Sequence, residues 1–184
     1  MLNASAFVVG PRDGAGAALS ALAQAQGFAP VDRYSGLAKA ERQARVTPLL
    51  FFLCAEVEDL ETLKPMANAI RFSESRKLRF SPLIYFAREL SVDCIKSCIQ
   101  MGFDDVISLP CASGDIAERL QRQIGRPQTY YETSTYFGPD RRNRVGERRS
   151  AGSDHGGGQF RRIEIIRNAL NGVDVLRDDF EVVL

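Results

Sequence analysis

The stretch from Tyr136 to Arg149, YFGPDRRNRVGERR, concentrates the side chains best suited to binding chemistry. Arg141, Arg142 and Arg144 follow a Gly-Pro-Asp sequence that reads as a turn, and Arg148 and Arg149 repeat a pair after Gly146. GPDRR and GERR are two imperfect copies of one unit. A guanidinium makes paired hydrogen bonds to phosphate oxygens and to the O6/N7 edge of guanine, and its flat face stacks on purines. Arginines beside aromatics such as Tyr136 and Phe137 therefore suit a guanine nucleotide. The charge pattern sets this region apart. Residues 1–125 carry 14 basic and 14 acidic groups, residues 126–162 carry eight arginines and four acids, and residues 163–184 carry two arginines and five acids. Across the chain 20 Arg stand against 4 Lys. A GC-rich genome would explain that ratio, but not the clustering.

Other chemistries lack their parts. The one histidine, His155, lies among glycines, which removes histidine-based triads and multi-histidine metal sites. Cys54, Cys94, Cys98 and Cys111 sit in apolar surroundings without metal-ligand spacing, so they read as small core residues. Cys94 and Cys98 share a helical face, where packing is the simpler account than a redox pair. No GxGxxG or GxxxxGK[ST] phosphate loop follows the first apolar run. With no nucleophile–base pair either, an enzyme is not expected. No window is long and apolar enough for a membrane span, and the N-terminus lacks a signal-peptide pattern, so the expectation is a cytoplasmic protein without membrane insertion.

The elements that must position the arginines alternate. Ala6–Val9 reads as a strand, followed by an Ala/Leu-periodic helix ending at Gly27, a weak strand over Ala29–Tyr34 and a polar helix over Gly36–Arg45. Leu49–Cys54 is an uninterrupted apolar run of the kind found in central parallel strands. Glu58–Arg76 reads as a helix that Pro65 either kinks or opens. Pro82–Phe86 is a buried strand, Ser91 caps a helix over Val92–Met101, and Val106–Leu109 is a fifth strand. Ser113 is the expected N-cap of a last helix with Ile116, Leu120 and Ile124 on one face. Five strands alternating with helices in about 125 residues imply an α/β, doubly wound, flavodoxin-like five-stranded parallel sheet of order 2-1-3-4-5. Beyond it, residues 128–162 lose apolar periodicity and are expected to be flexible. Residues 163–184 regain helix-or-strand character, and docking on the domain is one outcome that the sequence leaves open.

FSPLIYFAREL, followed by a helix ending in MGFDDVISLP, resembles the fourth- and fifth-strand region of CheY-like response-regulator receiver domains. The resemblance spans residues 5–125, with MGFDD and Pro110 its most specific features, and implies a cis peptide before Pro110. Receivers phosphorylate an aspartate with Mg2+, and here each position that this chemistry needs is changed. The acidic pair after the first strand corresponds to Gly10 and Pro11, with Asp13 the nearest acid. The phosphoacceptor corresponds to Cys54, or to Leu53 with a one-residue slip. The hydroxyl falls near Ala87, and the lysine before Pro110 falls on Leu109. A hard cation needs oxygen ligands, which these residues do not supply. Glu56, Glu58 and Asp59 read as a solvated helix start. The domain thus resembles a degenerate receiver with no metal.

The arginine-rich tail in turn resembles that of the CheY-like cyclic-di-GMP effectors of alphaproteobacteria, the Cle family. By that resemblance Arg141 and Arg142 bind guanine edges and phosphate, Arg148 and Arg149 bind the second half of the dinucleotide, Tyr136 stacks, and Asp140 accepts from guanine N1 and N2. Arg144 and Arg148 also have the RxxxR spacing of PilZ domains, without the DxSxxG or the barrel pattern. The resulting expectation is a ligand-gated adaptor that binds cyclic di-GMP and controls a protein partner in signalling, chemotaxis or motility. Two alternatives stay open: a phosphorylation-independent docking module or homodimer with a spacer tail, and a nucleic-acid binder using the same arginines. Near-zero net charge and an acidic C-terminal piece weigh against nucleic acid.

Overall fold

The structure, a computed structural model, describes residues 4–12, 14–140 and 159–182. β1 (Ser5–Val9), β2 (Val31–Arg33), β3 (Leu50–Cys54), β4 (Leu83–Ala87) and β5 (Asp105–Ser108) form one parallel sheet in the order β2-β1-β3-β4-β5. This is the flavodoxin-like doubly wound arrangement. Its central strands are apolar at every position because both faces are covered. Phe51, Leu53, Ile84 and Phe86 pack with α1 (Gly14–Ala25) and α6 (Ser113–Gln121), through Leu19, Ala23, Ile116 and Leu120. Leu50, Phe52, Cys54, Leu83 and Tyr85 face α2 (Leu37–Val46), α3 (Lys64–Arg71), the short α4 (Arg76–Arg79) and α5 (Val92–Gln100).

Local chemistry sets several boundaries. The single helix expected over Glu58–Arg76 is a 3-10 turn, Leu60–Leu63, then α3, then α4. Pro65 lies in the first turn of α3, where its missing N–H costs no hydrogen bond. The Ser91 hydroxyl caps α5 by accepting from the Cys94 N–H at 3.0 Å. Ser113 is not a cap. Ala112 holds that position, and the Ser113 hydroxyl accepts instead from Gln26 Nε2 at 2.9 Å. The Leu109–Pro110 peptide is cis, as is Ala29–Pro30.

The larger difference lies beyond residue 126. Residues 128–140 and 159–162, expected to be flexible, belong to a second sheet. β6 (Pro127–Glu132), β7 (Phe137–Pro139), β8 (Gln159–Asn168) and β9 (Gly172–Val182) pair antiparallel in the order β7-β6-β8-β9. The Gly-Pro-Asp turn is likewise replaced, because Gly138 and Pro139 are strand residues and Asp140 extends the ladder, its N–H donating to Thr129 O at 2.7 Å. Residues 163–168 and 172–182 are strand rather than helix, joined by a turn. The physical reason is long-range burial: Tyr130, Phe137, Ile163, Ile165 and Val173 join the core on the α1/α6 side of the parallel sheet. Two or three apolar side chains per strand cannot hold a hairpin alone, but docked on a preformed domain they suffice.

This second sheet packs at the amino ends of the parallel strands. Arg167 Nε donates to the carbonyl of Phe80, which lies just before β4, and Gly125 N–H donates to Arg167 O at 2.8 Å. Asp104, just before β5, bonds to Arg167 as well.

Candidate functional site

Two regions qualify, at opposite poles of the parallel sheet. At the carboxyl end, Gly10 and Pro11 follow β1, Cys54 and Ala87 end β3 and β4, and Leu109 follows β5. Cys54 is fully buried, its side chain belongs to the core on the α3 side, and burial pushes its thiol far above the usual range. A Cβ added at Gly10 would lie 2.8 Å from Ala55 Cβ, so the Ala55 methyl leaves no room for a side chain there. Arg33 NH2 donates to the carbonyls of Gly10 at 2.8 Å and Pro11 at 2.7 Å. What remains is a cleft of about 120 Å³ between α1 and Ala55, Phe86 and Leu109, with Glu56 and Arg88 at its lining, too small for a nucleotide; the Glu56 carboxylate accepts from the Arg88 backbone N–H at 3.3 Å. Asp13 lies outside the described residues. Among the described residues no His, Cys, Asp and Glu cluster could hold a metal ion.

An aspartate introduced at Cys54 is therefore expected not to create a phosphoryl site. Cys54→Asp places a carboxylate among apolar side chains without a cation, at a cost of roughly 3 kcal/mol. Thermal melting should fall, and beryllofluoride should leave the protein's NMR spectrum unchanged; a spectrum that shifts with beryllofluoride would show that the pocket still works.

The other region is the second sheet. Tyr136 is half-buried at the β6–β7 connection, where its N–H donates to Thr133 Oγ1 at 3.0 Å and its carbonyl accepts from Thr133 N–H at 2.8 Å. Asp140 is half-buried at the end of β7. The structure keeps these two on one short segment. Arg141, Arg142, Arg144, Arg148 and Arg149 lie outside the described residues. Their anchors are described, however: Asp140 beside Thr129, and Gln159 at the start of β8, past the Glu132–Arg161 pair.

Sequence reasoning missed the group that holds this sheet in place. Arg71, Asp104, Tyr130 and Arg167 are all buried in one hydrogen-bonded cluster. Arg71 NH2 and Arg167 NH2 each take one Asp104 oxygen, at 2.5 and 2.8 Å, and the Tyr130 hydroxyl also bonds to Asp104 and Arg167. Carbonyls of Gly102, Arg79, Ser81, Phe80 and Gln123, with the side-chain oxygens of Gln123 and Gln128, accept the remaining guanidinium donors. Burial by itself would raise the Asp104 pKa, but Arg71, Arg167, the Tyr130 hydroxyl and the Leu83 N–H together hold it down at about 2. Burial pushes the Tyr130 phenol well above its usual range, so it stays neutral. The signal was present in the alternation of Ile163, Ile165 and Arg167, which places an arginine on the buried face. In the MGFDD sequence, Asp104 thus anchors the second sheet, while Asp105 pairs with Arg119 through two bonds of 2.6 and 2.8 Å.

Solved structures of receiver and CheY-like domains are similar to about two thirds of this chain. The receiver domain of the sensor histidine kinase PA1611 from Pseudomonas aeruginosa PAO1 is 20% identical over 65% of this chain and 95% of that one, with a TM-score of 0.48. A CheY-like protein (tadZ) from the same organism is 14% identical over 65% of this chain and 98% of that one, at 0.47. The signal receiver domain of a signal transduction histidine kinase from Syntrophus aciditrophicus is 17% identical over 65% and 88%, at 0.45. No family model matches the chain, and no curated protein matches it. The parallel domain has the flavodoxin-like fold that receivers share. Among the described residues no helix is long and apolar enough to cross a membrane.

Proposed function

We propose that this chain is a non-catalytic signalling adaptor: a receiver-type domain that accepts no phosphoryl group and binds cyclic di-GMP through its arginine-rich stretch to control a protein partner. The observation that carries the reading is the set of strand-end residues, Cys54, Ala87 and Leu109, at the positions where the receiver resemblance puts a carboxylate, a hydroxyl and a cation. Five arginines in nine residues lie in sequence between Asp140 and Gln159, two residues that the second sheet holds at the opposite pole. A dinucleotide with two phosphates and two guanines gives such arginines charge-assisted partners, and engaging it changes the surface offered to a protein partner.

Calorimetry with cyclic di-GMP tests this. The full chain is expected to bind, and the Arg141→Ala/Arg142→Ala/Arg148→Ala variant to lose roughly 100-fold or more in affinity, since each charged hydrogen bond contributes about 1.5–3 kcal/mol. No heat at high micromolar ligand, or equal binding by the triple variant, would overturn the reading. Affinity that falls steeply with salt for any nucleic acid would favour phosphate contacts to DNA or RNA instead.

A further inference from the structure

A cleft of about 670 Å³ opens at the free end of the second sheet. Its lining includes the connection after β6, at Thr133 and Ser134, and the start of β8 at Gln159, where the chain returns from the arginine-rich stretch. Three further lining residues, Glu132, Arg161 and Phe180, are in register across β6, β8 and β9: Glu132 pairs with Arg161, and Arg161 with Phe180. Directly paired residues project on one face of a sheet. Phe180 is 64% exposed, a large aromatic on an edge strand otherwise rich in charge. Arg161 is fixed from both sides: Asp178 takes its Nε and NH2 at 2.6 and 2.5 Å, and Glu132 takes its NH1 at 3.3 Å. Glu132 also accepts from Arg79 at 2.7 Å.

The geometry points to this cleft as a purine-base subsite selective for guanine, built from Phe180, Arg161 and Glu132. It rests on the reading of the chain as a cyclic di-GMP binder and adds the residues that would receive one of its bases. The charge count favours a base over a phosphate, because Arg79 and Arg161 are already matched by Glu132 and Asp178. A flat purine laid on this face covers the Phe180 ring and the immobilised guanidinium plane together. An ionised carboxylate offers about four lone-pair sites. Two of those on Glu132 are used by arginines, which leaves acceptors for the adjacent N1–H and N2–H donors of guanine. Adenine presents an unprotonated N1 toward the same carboxylate and is repelled. The hydroxyls of Thr133 and Ser134 and the amide of Gln159 line the rim, suited to a ribose.

The experiment is an NMR titration of the full chain with GMP, and separately AMP, to several millimolar, alongside calorimetry with cyclic di-GMP on the wild type and on Phe180→Ala. GMP is expected to shift resonances of Phe180, Ser134 and Gln159, AMP to shift them far less, and Phe180→Ala to weaken cyclic di-GMP binding about tenfold or more. Glu132→Gln is expected to narrow the preference of GMP over AMP. Phe180 is exposed, so its replacement should leave the melting temperature unchanged, and a thermal melt checks this. Unshifted cleft resonances with GMP, or cyclic di-GMP binding unaltered by Phe180→Ala, overturn the subsite even if the dinucleotide binds elsewhere. Cleft shifts with GMP in a chain that ignores cyclic di-GMP support the subsite and refute the wider reading.

Discussion

Asp104→Asn is expected to lower the melting temperature by roughly 10 °C, because it leaves Arg71 and Arg167 buried without their shared counter-charge. Breaking a buried pair from one side costs about 3–5 kcal/mol, and a chain of this length shifts by about 2–4 °C per kcal/mol. The five carbonyls around the arginines soften the loss but cannot supply the charge. The same group makes stability depend on acid. Asp104 titrates at about 2 in the folded chain, against about 3.9 for an unfolded aspartate. A folded pKa depressed in this way contributes stability that is fully present above about pH 4 and is lost as pH falls toward 2, by about 2–3 kcal/mol in all. Urea midpoints of wild type and Asp104→Asn should therefore converge between pH 5 and pH 2.5. Adding Arg167→Met to Asp104→Asn should cost less than the sum of the two single changes, since the double variant removes one of the stranded charges. An Asp104→Asn protein within about 1 kcal/mol of wild type at pH 7 would contradict this account.

Gly102→Ala is the second large effect, expected to cost about 2–4 kcal/mol and to loosen β7. Gly102 has φ of +79°, a conformation in which a Cβ is strained, and a Cβ there would overlap the carbonyl oxygen of Phe137. The fit is mutual, since a Cβ on Gly138 would lie 2.8 Å from Gly102 Cα. Phe137 is further held by Arg79, whose guanidinium carbon stands 4.3 Å from the ring centroid. Gly125→Ala serves as the control: its φ is +72°, yet nothing lies within 4 Å of the added carbon. It should show only the conformational cost, about 1–2 kcal/mol. Urea denaturation gives both energies, and amide exchange at Phe137 and Gly138 should accelerate in Gly102→Ala alone. Because β7 follows Tyr136 directly and leads through Asp140 into the arginines, the same variant should weaken the proposed cyclic di-GMP binding. Equal costs for the two alanines would remove the packing role assigned to the first.

How much was legible differed by region. The parallel sheet was readable because its strands, such as Leu50–Cys54, are continuous apolar runs buried on both faces, and its helices carry local signals such as Ser91 and the glycines that end them. The identities of Cys54, Ala87 and Leu109 at the strand ends were equally plain, since residue type alone decides whether a carboxylate or cation stands at a given position. The helix expected over Glu58–Arg76 differed in its start and its continuity, helical structure beginning only at Leu60 and breaking between Arg71 and Arg76. The second sheet was not readable: in PQTYYE and FGP too few apolar positions alternate to reveal a period, and their burial comes from a domain distant in sequence.

Residue identity by itself determined that the first 125 residues form a doubly wound domain with Cys54, Ala87 and Leu109 at the carboxyl ends of its strands, and that arginines cluster in sequence after Asp140. Tertiary structure alone decided that Gly138 and Pro139 are strand rather than turn, that Arg167 and Asp104 meet across 63 residues, and that Glu132, Arg161 and Phe180 share one face. The reason is the range of the forces involved. Helix caps and continuous strands are set by neighbours a few residues away, whereas a buried ion cluster and a cross-strand row exist only once distant segments have excluded water together.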